Sequence, residues 1–397
     1  MKKTLLTICL VWMCFSLSAQ KIIDLSGKWS FSIDRQDNGE KEKWFSHTLN
    51  DFINLPGSMP EKLKGDEVTA KTQWTGSLYD SSYYYNPYME KYRKEGNIKF
   101  PFFLTPDKHY VGAAWYQKEV NIPADWKGER ILLFLERPHI ETTVWVNGQK
   151  TGMQNSLCVP HQYDITRYVR PGKCTITIRV DNRIKEINVG PDSHSITDQT
   201  QGNWNGIVGR ICLQTTPKTY FDDIQIYPEP EQKLARVKVV IKGTGTAKVK
   251  LSAESFNTDK KHIVPAIQQE IKLNKGVTET EMVLPMGNDM LLWDEFHPAL
   301  YKLKAEVTNG KKTEIKEIQF GMRRFEIKGK WFYVNGRKTQ LRGTVENCDF
   351  PLTGYAPMDV ESWERVFRIC RNYGLNHMRF HSLLLDYQLV TLSLIHI

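Results

Sequence analysis

The sequence is short of several features that would fix its class at once. Only seven cysteines occur in 397 residues, and no two form a C-x-x-C pair. Two of them, Cys9 and Cys14, fall in an amino-terminal leader, which leaves Cys158, Cys174, Cys212, Cys348 and Cys370. An odd, widely spaced set argues against a disulfide framework and a zinc site, and fits small buried apolar side chains instead. Long apolar runs are equally scarce. After Leu17 no stretch is long and apolar enough to span a membrane. A one-signed charge block is missing too. Net charge is +9, and it falls to +7 once Lys2 and Lys3 of the leader are set aside. The remaining Lys and Arg are scattered among Asp and Glu, whereas a nucleic-acid binder concentrates them on one stripe or arm. No nucleic-acid partner, membrane span, metal or cofactor is therefore expected.

What is present is an ordinary globular composition, 40% hydrophobic and 25% charged. A chain of this length is too long for one core and implies two or three domains. Eleven Trp and 17 Tyr are on the rich side, which suits β-sandwiches and sugar-binding surfaces alike. Residues 1–19 have the form of a signal peptide: Lys2-Lys3, an apolar core from Leu5 to Leu17, and Ser18-Ala19 before Gln20. Export to the periplasm or the outside is the expectation.

From Lys21 to about Lys218 the signals are almost all strand and turn. Arg130 to Glu136 alternates around Ile131, Leu133 and Leu135, and Thr175 to Val180 alternates with period two. Thr142 to Val146 runs into Asn147-Gly148, a two-residue hairpin signal because both turn residues need positive φ. Short strands over roughly 200 residues imply a two-sheet jelly roll, residues 20–218. A polar, tyrosine-rich insertion lies between Trp74 and Tyr110, either a flap packed on its own domain or a loop facing sugar. Residues 219–321 read as a second, immunoglobulin-like sandwich, with strands at Leu234–Ile241, Ala247–Ser255, Gln269–Leu273 and Tyr301–Val307.

The stretch Phe320 to Pro351 is the hinge of the chain. It holds a second hairpin signal, Asn335-Gly336, and then a strand ending in Glu346, Asn347 and Asp349. Polar groups at the carboxyl end of a barrel strand are where barrel active sites are built. Asp359 then caps a helix with apolar residues at Val360, Trp363, Phe367 and Cys370, stopped by Gly374, and Leu375 to Phe380 reads as a second strand. Strand, helix, strand is the first step of a parallel barrel, assigned to residues 322–391. The fold class expected is mostly β: a jelly roll, an immunoglobulin-like sandwich, then the opening strands of a (β/α)8 barrel.

In order along the chain stand Gly27-Lys28-Trp29, Leu55-Pro56-Gly57, Trp115-Tyr116, Trp145-Val146-Asn147-Gly148, Tyr163-Asp164-Ile165-Thr166 and Trp204-Asn205-Gly206-Ile207. They are followed by Pro298-Ala299-Leu300-Tyr301, Phe320-Gly321-Met322-Arg323 and Leu341-Arg342-Gly343. This ordered set resembles the amino-terminal part of glycoside hydrolase family 2, whose members include β-galactosidases, β-glucuronidases and β-mannosidases. The resemblance implies hydrolysis of terminal sugars from an oligo- or polysaccharide, with retention. That chemistry uses two carboxylates about 5 Å apart, which the family carries on later barrel strands. The resemblance places Asn347 where many members have a sugar-contacting His, Arg379 near the floor of the site, and His381 close to a family His but one residue early. Arg379 as a structural cation and His381 as a core histidine stand as alternatives. It also implies that the loop Asp198 to Trp204 reaches the sugar, through Asp198 or Asn203. A loop held by its own Asx turns is the competing reading.

No catalytic residue is assigned within the chain, and inactivity of the chain alone is expected. Leu392 to Ile397 looks like a translated transposase adapter, so residues 392–397 are expected to be a non-native tail. The reading from a different class is a non-catalytic carbohydrate-binding sandwich protein.

Overall fold

A computed structural model describes residues 20–75, 81–99, 105–157, 159–185, 196–198, 202–347, 350 and 353–380. The leader, Cys158, Cys348, Asp349, His381, Asp386 and the closing hexapeptide lie outside the described residues. No helix among the described residues is long and apolar enough to cross a membrane.

The first unit is a β-sandwich. One sheet runs, in spatial order, Gln149–Asn155, Glu141–Val146, Gly172–Asp181, Ala113–Ile122, Gly27–Asp34 and Asp51–Leu55. The facing sheet runs Ile22–Asp24, Gly206–Thr216, Arg130–Pro138 and His161–Asp164, with Gly57–Ser58 paired to the start of Gly206–Thr216. Alternate residues of both sheets meet in one core that includes Trp29, Phe31, Tyr116, Leu133, Ile178 and Leu213. Burying each such side chain contributes roughly 2 kcal/mol. The Trp29 indole, wholly inside, donates to Leu25 O at 2.9 Å, so no polar atom of the ring is stranded. At the Asn147-Gly148 hairpin φ is +50° and +76°, the positive pair that turn requires.

The second unit corrects the strand boundaries expected from the sequence. Leu234–Ile241 and Ala247–Ser255 belong to one strand, Leu234–Ser255, paired along its length with the similarly long Ile263–Pro285. Its first half also pairs with Tyr220–Glu229, and its second half with Tyr301–Asn309, which is followed by Lys312–Phe320. The register shifts between Gly243 and Gly245, and Gly243 sits opposite Gly276. A Cβ at Gly243 would stand 2.5 Å from Thr219 Oγ1, so only glycine fits there. At this bend the sheet folds over, and Val237, Val239, Val249, Leu251, Leu303 and Ala305 share one core.

A three-stranded ribbon follows: Phe325–Lys328, Trp331–Val334 and Arg337–Thr339. Asn335 and Gly336 again take positive φ, +52° and +76°. Then comes a βαβ unit. Gly343–Glu346 pairs in parallel with His377–Phe380, and the helix Val360–Asn372 lies between them in sequence. The Asp359 side chain accepts from Ser362 N at 2.7 Å and caps the helix. Its other end closes through Leu375 N to Cys370 O at 3.0 Å and Gly374 N to Arg371 O at 2.9 Å, with Gly374 at φ +72°. Trp363 and Phe367 on the helix, with Met378 and Phe380 on the strand, make a small separate core.

Candidate functional site

Side chains alternate across a strand. Because Met378 and Phe380 pack toward the helix, His377 and Arg379 point to the opposite face. Arg379 is paired in register with Val345, one step from the carboxyl end of the ladder, and is exposed. Asn347 follows the last strand residue, Glu346, and is exposed as well. The structure thus brings Asn347 and Arg379 to the carboxyl end of the same parallel pair. Asn376, three residues before Arg379, is at the other end. It donates to Gln340 O at 3.1 Å and to the Glu295 carboxylate, and its Oδ1 accepts from Arg342 N at 2.7 Å. Its work is to tie the two strand starts to the second sandwich.

The jelly-roll loop approaches the connection that leaves the first parallel strand. Trp204 packs on Tyr355, ring centroids 5.5 Å apart, with Val208 and Met358 beside them. On its other side Trp204 stacks on His139, centroids 4.6 Å apart and planes within 22°. Two polar contacts reinforce the junction. The Tyr355 hydroxyl donates to Glu61 Oε2 at 2.6 Å, and Ser58 Oγ donates to Thr353 O at 3.3 Å. Burial of Tyr355 and the Glu61 carboxylate beside it push the Tyr355 phenol well above its ordinary range.

Asp198 and Asn203 sit at the base of this loop, both buried. The Asp198 carboxylate accepts from Thr75 N and, at 3.0 Å, from Asn203 N. His109 Nε2 lies 3.7 Å from it. Asn203 Nδ2 donates to Thr75 Oγ1 at 2.8 Å and to Asn182 O at 3.2 Å. That fixes the amide orientation, so Asn203 Oδ1 faces His139 Nε2 at 3.1 Å and accepts its proton. Burial holds the His139 pKa down to about 4, so the ring is the neutral Nε2–H form. The polar atoms of Asp198 and Asn203 are therefore taken up within the protein, in a post that carries Trp204 forward.

The sequence did not single out Thr75, His139, Glu61 or Tyr355 for this junction. No local pattern marks them, since their partners are distant in the chain. Asn205 was visible only as part of a motif. Its side chain accepts from the Tyr116 hydroxyl at 2.8 Å and donates to Gly112 O at 2.9 Å and Val180 O at 3.0 Å. Cys174 and Cys212 are buried free thiols, and burial lifts the Cys174 pKa to about 11. Among the described residues no group of three His, Cys, Asp or Glu side chains converges as a metal site would require.

Two β-sandwiches leading into a βαβ unit, with a loop of the first sandwich laid against the exit of the first parallel strand, define a modular, mostly β architecture. The family models agree. Residues 22–217 match the sugar-binding domain of glycosyl hydrolases family 2, and residues 219–323 match a second family 2 model. The chain belongs to glycoside hydrolase family 2. Among curated relatives, a β-glucuronidase of Paenibacillus borealis is 24% identical over 355 residues, 84% of this chain and 51% of that protein. A β-galactosidase of Thermoanaerobacter pseudethanolicus is 24% identical over 301 residues, 71% of this chain and 38% of that protein. The solved β-glucuronidase from Ruminococcus gnavus superposes with a TM-score of 0.69 at 18% identity, over 96% of this chain and 58% of that one. The chain spans about half the length of such relatives.

Proposed function

We propose that this chain is the substrate-positioning front of an exported, retaining exo-glycosidase acting on terminal β-linked sugars of a glycan, of β-glucuronidase or β-galactosidase type. The observation that carries the reading is the Trp204–Tyr355 contact, which lays the sugar-binding domain against the end of the βαβ unit where barrel sites form. Relatives named for both activities support the reaction class. Asn347 supplies an amide to a sugar hydroxyl, and Arg379 supplies a cation at the floor. Trp204, buried against His139 and Tyr355, braces the rim from beneath.

Retaining hydrolysis needs an acid/base and a nucleophile on either side of one bond, about 5 Å apart. At the carboxyl ends of the two described parallel strands the only carboxylate is Glu346. In this reading both catalytic carboxylates come from further barrel strands. The chain by itself holds sugar and leaves the bond intact, and no cofactor takes part. The test is to read the genomic DNA beyond the codon for Thr391 and express the longer frame beside the 397-residue chain. One of the two, aryl β-glucuronide or aryl β-galactoside, should be cleaved with retention, and by the longer protein only. Cleavage by the 397-residue chain, or none by the longer one, would overturn the reading.

A further inference from the structure

The insertion between the strands of the first sandwich is built, where it is described, as a small scaffold that turns aromatic rings outward. Tyr83 is its anchor: the ring is buried and the hydroxyl donates to Tyr92 O at 2.8 Å. Asn86 accepts from Tyr88 N at 2.9 Å with Pro87 next to it, which starts a tight turn of helix at Pro87–Tyr92. Asn97 Nδ2 donates to Lys91 O at 2.7 Å, and Lys99 N donates to Tyr92 O at 3.1 Å, so the chain returns onto the same short helix. From this scaffold Tyr84, Tyr85 and Tyr88 project, 53%, 73% and 84% exposed. Among the described residues neither the Tyr85 nor the Tyr88 ring packs on another, and neither phenol has a hydrogen-bond partner. A self-packed flap would bury such rings, because each is a large apolar surface. Held outward on a braced segment, they mark a contact surface.

The charge around them narrows the ligand. Ser81–Lys99 carries four cations and two carboxylates. Lys94 pairs with Glu90 at 3.2 Å, and Arg93 turns inward to the Tyr83 carbonyl, while Lys91 and Lys99 stay exposed with no acidic partner among the described residues. The root of the insertion is tied to the loop that carries Trp204, through Thr75 and His109 against Asp198 and Asn203. We infer that Tyr85 and Tyr88, with Lys91 and Lys99, form a subsite for an anionic oligosaccharide, the rings stacking on sugar faces and the ammonium groups meeting carboxylate or sulfate. The inference rests on the glycosidase reading and assigns this subsite to sugars beyond the terminal one.

Titration calorimetry on the 397-residue chain uses three hexasaccharides: a polyuronate, a sulfated glucan and a neutral glucan. One acidic probe should bind about tenfold more tightly than the neutral one and weaken with salt. A Tyr85→Ala/Tyr88→Ala variant should bind it about tenfold more weakly at an unchanged unfolding midpoint, and Lys91→Ala/Lys99→Ala should lose most of the acidic preference. The inference falls if none of the probes binds, if the neutral glucan binds equally well, or if the tyrosine variant binds like the parent. Should the longer protein cleave aryl glycosides while this chain binds no probe, the subsite alone is lost and the glycosidase reading stands.

Discussion

At the scale of single residues, two buried histidines set how the first sandwich responds to acid. His139 donates to Asn203, and His161 accepts from Thr142 through Nδ1 at 2.6 Å and reaches Ser156 O through Nε2 at 3.2 Å. Burial lowers both pKa values from 6.5 to about 4. In the unfolded chain each takes up a proton as pH falls below about 6.5, while the folded state stays neutral until about pH 4. Stability therefore drops across that window and levels off beneath it, by up to about 3 kcal/mol per histidine. Asp181 acts in a different window. Burial alone would raise its pKa, but Arg183, Lys185 and Arg179 outweigh that and hold it well below the usual carboxylate range. Its contribution is present above the ordinary carboxylate pKa and is lost only in stronger acid. Denaturant midpoints at pH 7 and pH 4.5 should differ, and His161→Gln should remove about half of the difference. If parent and variant respond identically to acid, the histidines are not the titrating groups.

At the scale of elements, the strand Gly206–Thr216 explains why Trp204-Asn205-Gly206 has the residues it has. Gly206 is at φ +148°, and a Cβ there would stand 2.4 Å from Gly57 O and 2.9 Å from Ser58 Cα. The two backbones pair at that point, and Met59 N donates to Asn205 O at 2.8 Å. Gly206→Ala should cost more than about 2 kcal/mol and loosen the Trp204 loop. Gly148→Ala is the control, since nothing lies within 4 Å of its Cβ and only the turn conformation at φ +76° resists, at about 1 kcal/mol. Equal losses in urea unfolding would sink the close-approach explanation. The same contrast shows what the sequence made legible. Strands with one buried face alternate, and Asn-Gly turns carry their own backbone demand, so both could be read locally. The 22-residue strand Leu234–Ser255 could not, because Gly243 and Gly245 resemble a turn until Ile263–Pro285 runs alongside. The Glu61–Tyr355 bond joins residues 294 positions apart, and no local pattern encodes it.

At the scale of the whole molecule, the two sandwiches have large cores of their own, while the βαβ unit has only the small cluster around Trp363 and Phe367. Its ladder ends in four-residue strands whose far face, Val345 and Arg379, is exposed. Among the described residues two attachments hold it. One is the Trp204–Tyr355 contact at the carboxyl end. The other is Glu295 of the second sandwich, which takes Asn376 Nδ2 and lies 3.2 Å from Arg342 at the amino end. A unit with a small core and few contacts opens more readily than its neighbours. Glu295→Ala removes one attachment and leaves Asn376 and Arg342 without their shared acceptor. Surface ion pairs contribute up to about 1 kcal/mol, and the added amide bond a similar amount. Amide exchange across Val360–Asn372 and His377–Phe380 should then speed up about fivefold to thirtyfold, while Ala113–Ile122 and Tyr301–Asn309 keep their rates. A uniform acceleration would mean that the unit unfolds with the sandwiches as one body. No change at all would mean that the Trp204–Tyr355 junction alone carries it.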